Sequence, residues 1–199
     1  MTSSVDQNVH IAHVGPEHAN TLADLLGNEH GCYCRYWFFG GDKNAWFAQC
    51  ATSGEDNAAA VREECTGPSP GLIALQGDVA IGWMRLAPLG AMSKLTTHGT
   101  YKRLALTGDN TLAVACVYVR EEARNAGVHR ALVDSIPGFA RAAGALAVLA
   151  FPAASLASGG VRAHDAALMM GVQSTYIAAG FQRNSGDDAY PVLRLEVPA

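Results

Sequence analysis

The sequence predicts an α/β (α+β) fold built on a parallel or mixed sheet, and three observations carry that expectation. Residues 71–76 and 79–86 are two strand-like runs around Gly77-Asp78, the pattern of an antiparallel hairpin. Residues 111–151 run strand, glycine turn, helix, strand, which is the order of a βαβ unit. Residues 168–181 then add a helix and lead into another strand, so the two kinds of element alternate instead of segregating.

Taken in order, residues 9–14 alternate and stop at Gly15-Pro16, which reads as an edge strand. A helix starts near Pro16 and turns Ala19, Leu22, Leu25 and Leu26 inward. Residues 31–41 crowd Cys32, Tyr33, Cys34, Tyr36, Trp37, Phe38 and Phe39 before a Gly-Gly stop, as a buried loop or one wall of a pocket. Helices follow over about 43–50 and 56–65, the second closing at Thr66-Gly67-Pro68. After the hairpin, residues 87–110 keep no period and form a long loop of the sort that often carries function. Residues 111–119 are β-branched and apolar, a strand. A helix over about 127–143, a strand at 146–151, a helix at 168–179 and a closing strand at 190–197 complete the chain.

Composition bounds the function. A chain of 199 residues, 49% apolar and 16% charged, suits one compact domain spanning residues 1–199. No apolar run reaches the roughly eighteen residues that span a bilayer, and the polar start lacks the features of a signal peptide. The expectation is a cytoplasmic protein with no membrane partner. Five cysteines are odd in number and sparse, which favours reduced thiols. A formal charge of −4 argues against nucleic acid and is compatible with amine substrates.

The chemistry concentrates after the strand at 111–119. Arg124-Asn125-Ala126-Gly127-Val128-His129-Arg130 puts a glycine at a helix entrance, where unpaired N–H groups and the positive end of the dipole suit a pyrophosphate. A plain strand-to-helix connection accounts for the same residues, and the wider order of motifs distinguishes the two. Arg124 and Gly127 meet the pattern R/Q-x-x-G-x-G/A, with His129 in place of the final small residue and Glu121 where a proline is frequent. Tyr176-Ile177-Ala178-Ala179-Gly180-Phe181 fits Y-x-x-x-G-F later in the chain. On these residues, 111–183, the chain resembles the GNAT superfamily of acyl-CoA-dependent N-acetyltransferases. Cys32-Tyr33-Cys34-Arg35-Tyr36-Trp37 and Pro191-Val192-Leu193-Arg194-Leu195-Glu196 resemble the start and end of a bacterial subgroup.

The resemblance implies a central mixed, mostly antiparallel twisted sheet, splayed between the fourth and fifth strands and flanked by helices. It implies acetyl-CoA, or another acyl-CoA, as co-substrate and no metal. Pantetheine would lie along Val117, Tyr118 and Val119, with the pyrophosphate on Arg124, Asn125, Ala126, Gly127, Val128, His129 and Arg130. The implied reaction is direct attack by an amine of a small-molecule acceptor in a ternary complex. The alternatives are a catalytically weak or inactive acyl-CoA-binding sensor and a protein or peptide N-acetyltransferase. Monomer and homodimer are both open. Tyr176 is the candidate acid, since a phenol with a pKa of about 10 holds its proton at neutral pH and can pass it to a thiolate.

Other residues carry weaker readings. Glu121, Glu122 and Asp109 are the carboxylates considered as general base, and none is assigned. Cys116 reads as a small buried hydrophobe before it reads as a nucleophile. His30, Cys32 and Cys34 lack zinc-knuckle spacing. Tyr33, Tyr36, Trp37 and Phe38 form either an acceptor pocket or core. His164 and Asp165 reach the acyl site or make a surface turn.

Overall fold

The structure is a computed structural model that describes residues 9–27, 31–99, 101–104, 106, 108–152, 170–188 and 190–198. Seven strands form one sheet: β1 (Val9–His13), β2 (Gly71–Gln76), β3 (Val79–Pro88), β4 (Thr111–Val119), β5 (Ala147–Ala150), β6 (Gln182–Gly186) and β7 (Pro191–Glu196). Their spatial order is β1-β2-β3-β4-β5-β7-β6. Among the described strands only β4 and β5 pair in parallel, as a helical crossover between them requires, and the other neighbours are antiparallel. The sheet is therefore mixed and mostly antiparallel.

Strand alternation sorts side chains onto two covered faces. On one face Leu72, Met84, Leu86, Val114, Val148 and Leu193 form a core. It is closed by α5 (Val128–Asp134), α6 (Ile136–Ala142) and α7 (Gln173–Ala178). On the other, Ile73, Ala80 and Trp83 pack under α1 (Ala19–Leu26) and α3 (Gly54–Glu64). Beside them, Ala113, Ala115, Leu149 and Phe151 pack under Trp37 and under Leu95 of α4 (Ser93–Thr97). The helix α2 (Lys43–Thr52) opens on Asp42, whose carboxylate accepts the Ala45 N–H as an N-cap. Gly82 lets α5 approach β3 closely, since a Cβ there would lie 2.7 Å from Val128 Cγ1.

Three stretches differ from the sequence expectation. The helix expected over 127–143 is two helices, because Pro137 in the first turn of α6 has no N–H to continue the ladder. Of the helix expected over 168–179, residues 168 and 169 lie outside the described residues, and the described helix begins at Gln173, after Gly171 at φ 82°. The loop expected over 87–110 holds the end of β3, a 3-10 turn at Leu89–Ala91 and α4, with Leu89, Met92, Leu95 and Tyr101 buried. Among the described residues no helix is long and apolar enough to cross a membrane.

Candidate functional site

The site begins with an irregularity in β4. Arg85 of β3 lies opposite Cys116 and the next residue, Leu86, lies opposite Val114, so Ala115 is an extra residue on β4. Side-chain directions agree with this bulge. Val114 and Val117 face the α5 side, while the consecutive pair Ala115 and Cys116 face the other. A bulge bends its strand and sharpens the local twist. The pairing of β4 with β5 stops at Ala113. Val117, Tyr118 and Val119 are half-buried and have no described strand residue opposite them on that side. Among the described residues, β4 thus runs on past the end of its pairing with the fifth strand.

Arg120 anchors the end of β4, with its backbone N–H donating to Ile81 O and its side-chain Nε to Ala80 O. A 3-10 turn at Glu121–Ala123 follows, then Arg124, whose Nε donates to Val119 O at 3.2 Å and braces the loop against the strand. Asn125 and Gly127 have positive φ, 61° and 82°, which curls the backbone just ahead of α5. The first intrahelical donor is the Ala131 N–H, bonded to Gly127 O. Among the described residues, the N–H groups of Asn125, Ala126, Gly127, Val128, His129 and Arg130 donate to no backbone carbonyl. Residues 124–127 are exposed, and a Cβ at Gly127 would meet nothing within 4 Å. The loop therefore presents backbone donors to solvent, an arrangement suited to an anion. Within it Val128 is buried against Gly82, and Arg130 is exposed and paired with Asp134 at 2.7 Å. Glu121, Glu122 and Asp109 face solvent.

Tyr176 stands behind this loop. It is fully buried, and its hydroxyl donates to Met170 O at 3.0 Å. Its ring packs edge-on against His129 at 5.7 Å and Phe181 at 5.2 Å. Burial pushes the phenol pKa far up and the His129 pKa down, which keeps both groups neutral. The His129 side chain thus turns inward, away from the open side of the loop, while its N–H stays with the free donors.

The opposite face of β4 carries the aromatic segment. Trp37 is core, ringed by Tyr36, His98 and Tyr101, and Tyr33 is also buried. Phe38 lies over the Arg85 guanidinium at 4.3 Å and lines a small cavity of about 110 Å³ with Arg35, Phe39, Trp46, Gln49 and Asn57. Glu64 bonds both Arg35 and Arg85 and bridges the two guanidinium groups. Cys34 and Cys116 form a disulfide, with Cα atoms 5.8 Å apart. The expectation of reduced thiols throughout is corrected at this pair. Five cysteines allow many pairings, and no spacing rule singles out this one. It also removes Cys34 and Cys116 from the roles of zinc ligand and nucleophile. Among the described residues no cluster suits a metal. His30, His164 and Asp165 lie outside the described residues.

The same architecture recurs in solved structures. The PaiA N-acetyltransferase of Thermoplasma acidophilum, in complex with coenzyme A, matches with a TM-score of 0.53 at 13% identity, over 95% of this chain and 99% of that one. YncA of Salmonella typhimurium, described as a putative acetyltransferase and solved with acetyl-CoA, matches with a TM-score of 0.55 at 12% identity, over 96% and 94%. An acetyltransferase of the GNAT family from Streptococcus pneumoniae matches with a TM-score of 0.53 at 12% identity, over 96% and 100%. The chain has the GNAT fold. No family model matches the sequence, and no curated protein does. At these identities the likeness carries the GNAT architecture alone, including the mixed sheet and the parallel β4–β5 pair.

Proposed function

We propose that the chain transfers an acetyl or other short acyl group from acyl-CoA to an amine, with a small molecule as acceptor. The observation that carries this reading is the run of N–H groups from Asn125 to Arg130 that donate to no described backbone carbonyl, set at the end of a strand whose described pairing with β5 ends at Ala113. The solved neighbours with coenzyme A or acetyl-CoA support it. In this reading the pyrophosphate rests on the 124–130 loop, with Arg124 beside it and Gly127 leaving the backbone uncovered. The pantetheine arm runs along Val117, Tyr118 and Val119.

A neutral amine attacks the thioester carbon, a C–N bond forms, and the carbonyl oxygen takes up charge that backbone donors stabilise. Collapse breaks the C–S bond. The departing thiolate takes a proton from Tyr176, and the amine nitrogen sheds one to solvent. Tyr176 must exchange its present acceptor, the Met170 carbonyl, for the sulfur. That engagement favours the second reading, an acyl-CoA sensor without turnover.

The test is release of free CoA thiol from acetyl-CoA across a panel of small amines and peptide amines. Amine-dependent release supports transfer, and a peptide-only response moves the acceptor to protein. Tight acetyl-CoA binding with no release on any amine selects the sensor. Gly127→Glu should abolish CoA binding, since it places a like charge on the cradle. Tyr176→Phe should lower kcat by about a hundredfold and leave CoA affinity unchanged. Full turnover in the Phe variant would remove Tyr176 from the reaction.

A further inference from the structure

We propose that the His129 side chain is a positioning residue for proton transfer through Tyr176, its Nε2–H donating to the phenol oxygen as that oxygen gives up its proton. This role rests on the acyltransferase reading above.

Four buried side-chain nitrogens lack a hydrogen-bond partner among the described residues: Trp37 Nε1, Trp83 Nε1, Arg85 Nε and His129 Nε2. Of these, only His129 belongs to a ring packed against Tyr176, at 5.7 Å and an interplanar angle of 74°. A buried polar atom without a partner destabilises a fold, so one beside a candidate proton donor calls for an account. The backbone brings the two polar atoms together. At Gly171, where φ is 82°, a Cβ would lie 2.6 Å from His129 Nε2 and 2.9 Å from the Tyr176 hydroxyl oxygen. Both atoms therefore converge over one glycine, and any side chain at that position would drive them apart.

The chemistry of the phenol explains the arrangement. At rest its proton is donated to Met170 O. Once the proton passes to the thiolate, the O–H bond is broken, an S–H bond is formed, and the new phenolate faces a carbonyl oxygen in a site closed to water. Two acceptors in contact repel, and a donor must replace the lost hydrogen bond. A neutral imidazole in the Nε2–H tautomer is such a donor, and it keeps its own proton throughout. Once the CoA thiol leaves and the site reopens, a proton equivalent to the one shed by the amine returns to the phenolate from solvent, which closes the cycle without net change at either residue.

Two measurements test this. In ¹⁵N NMR of the full chain, His129 should be a neutral imidazole with its proton on Nε2; a bare Nε2 overturns the proposal. In steady-state kinetics, His129→Phe should lower kcat by roughly ten- to a hundredfold with CoA affinity unchanged. His129→Gln, which keeps a donor, should recover most of that loss. In a Tyr176→Phe background His129→Phe should change nothing further, because the oxygen it serves is gone. Wild-type kcat in His129→Phe, or an equal loss in the Tyr176→Phe background, overturns the role of His129 alone. A wild-type chain that binds acetyl-CoA but turns over no amine overturns the acyltransferase reading and this role together.

Discussion

Burial sets the protonation of two histidines on opposite faces of the sheet. His129 is held below the ordinary imidazole value of 6.5 by desolvation, and His98 by desolvation and then by the Lys94 charge. Each binds fewer protons in the folded chain than in the unfolded one, so stability rises with pH through their range. Their contribution is complete above pH 6.5 and is lost as pH falls below that value toward the depressed folded pKa. The melting temperature should therefore drop on acidification from pH 7.5 to pH 5.5, and the drop should be smaller in His129→Phe. An identical drop in both proteins would mean that His129 titrates as if unfolded. At this scale the place of Gly127 at a helix entrance, with Arg124 in the loop before it, was legible in the sequence, because a helix entrance has a residue pattern. The inward turn of His129 was not, since it depends on α7 and Gly171 arriving from forty residues further along.

Among the elements, α5 depends on a close approach to the hairpin. Gly82→Val would press against Val128 Cγ1, 2.7 Å from the new Cβ, and against Ala74 Cβ at 3.3 Å. Neither neighbour can retreat, because one is on a packed helix and the other on the adjoining strand. The substitution should cost about 1–3 kcal/mol in a denaturation experiment. On the proposed function it should also weaken CoA binding, because α5 carries the donor loop with it. Unchanged stability would show that the helix yields freely. The hairpin could be read from two strand-like runs around Gly77-Asp78, and β4 from a β-branched, apolar run of strand length. The bulge at Ala115 left no such mark, because Val114, Ala115 and Cys116 are all apolar. The elements within residues 87–110 are too short for a period to show, although Leu89, Met92 and Leu95 are buried.

Across the whole molecule, the Cys34–Cys116 disulfide ties the aromatic segment near the start to the central strand over a separation of 82 residues. Such a link restricts the unfolded chain and typically adds about 2–4 kcal/mol. Adding reductant should lower the denaturation midpoint accordingly, and a Cys34→Ser, Cys116→Ser double variant should no longer respond to reductant. A wild-type midpoint indifferent to reductant would show that the two thiols are not joined. The layered architecture was accessible from the order of elements, because a helix between two strands dictates their parallel pairing. The insertion of β7 between β5 and β6 was not, because it is a long-range pairing with no local signature.

The bulge in β4 has a further consequence for how the site can be lost. If Ala115 were deleted, Val114 and Cys116 would become consecutive partners of Leu86 and Arg85, and every side chain would keep its present face. The strand would run straight, with hydrophobic content and charge unaltered. The bend in β4 is thus encoded as a unit of length and not as a residue type. On the proposed function, loss of one codon would silence the protein while leaving it folded, a lesion that no scan of substitutions would uncover.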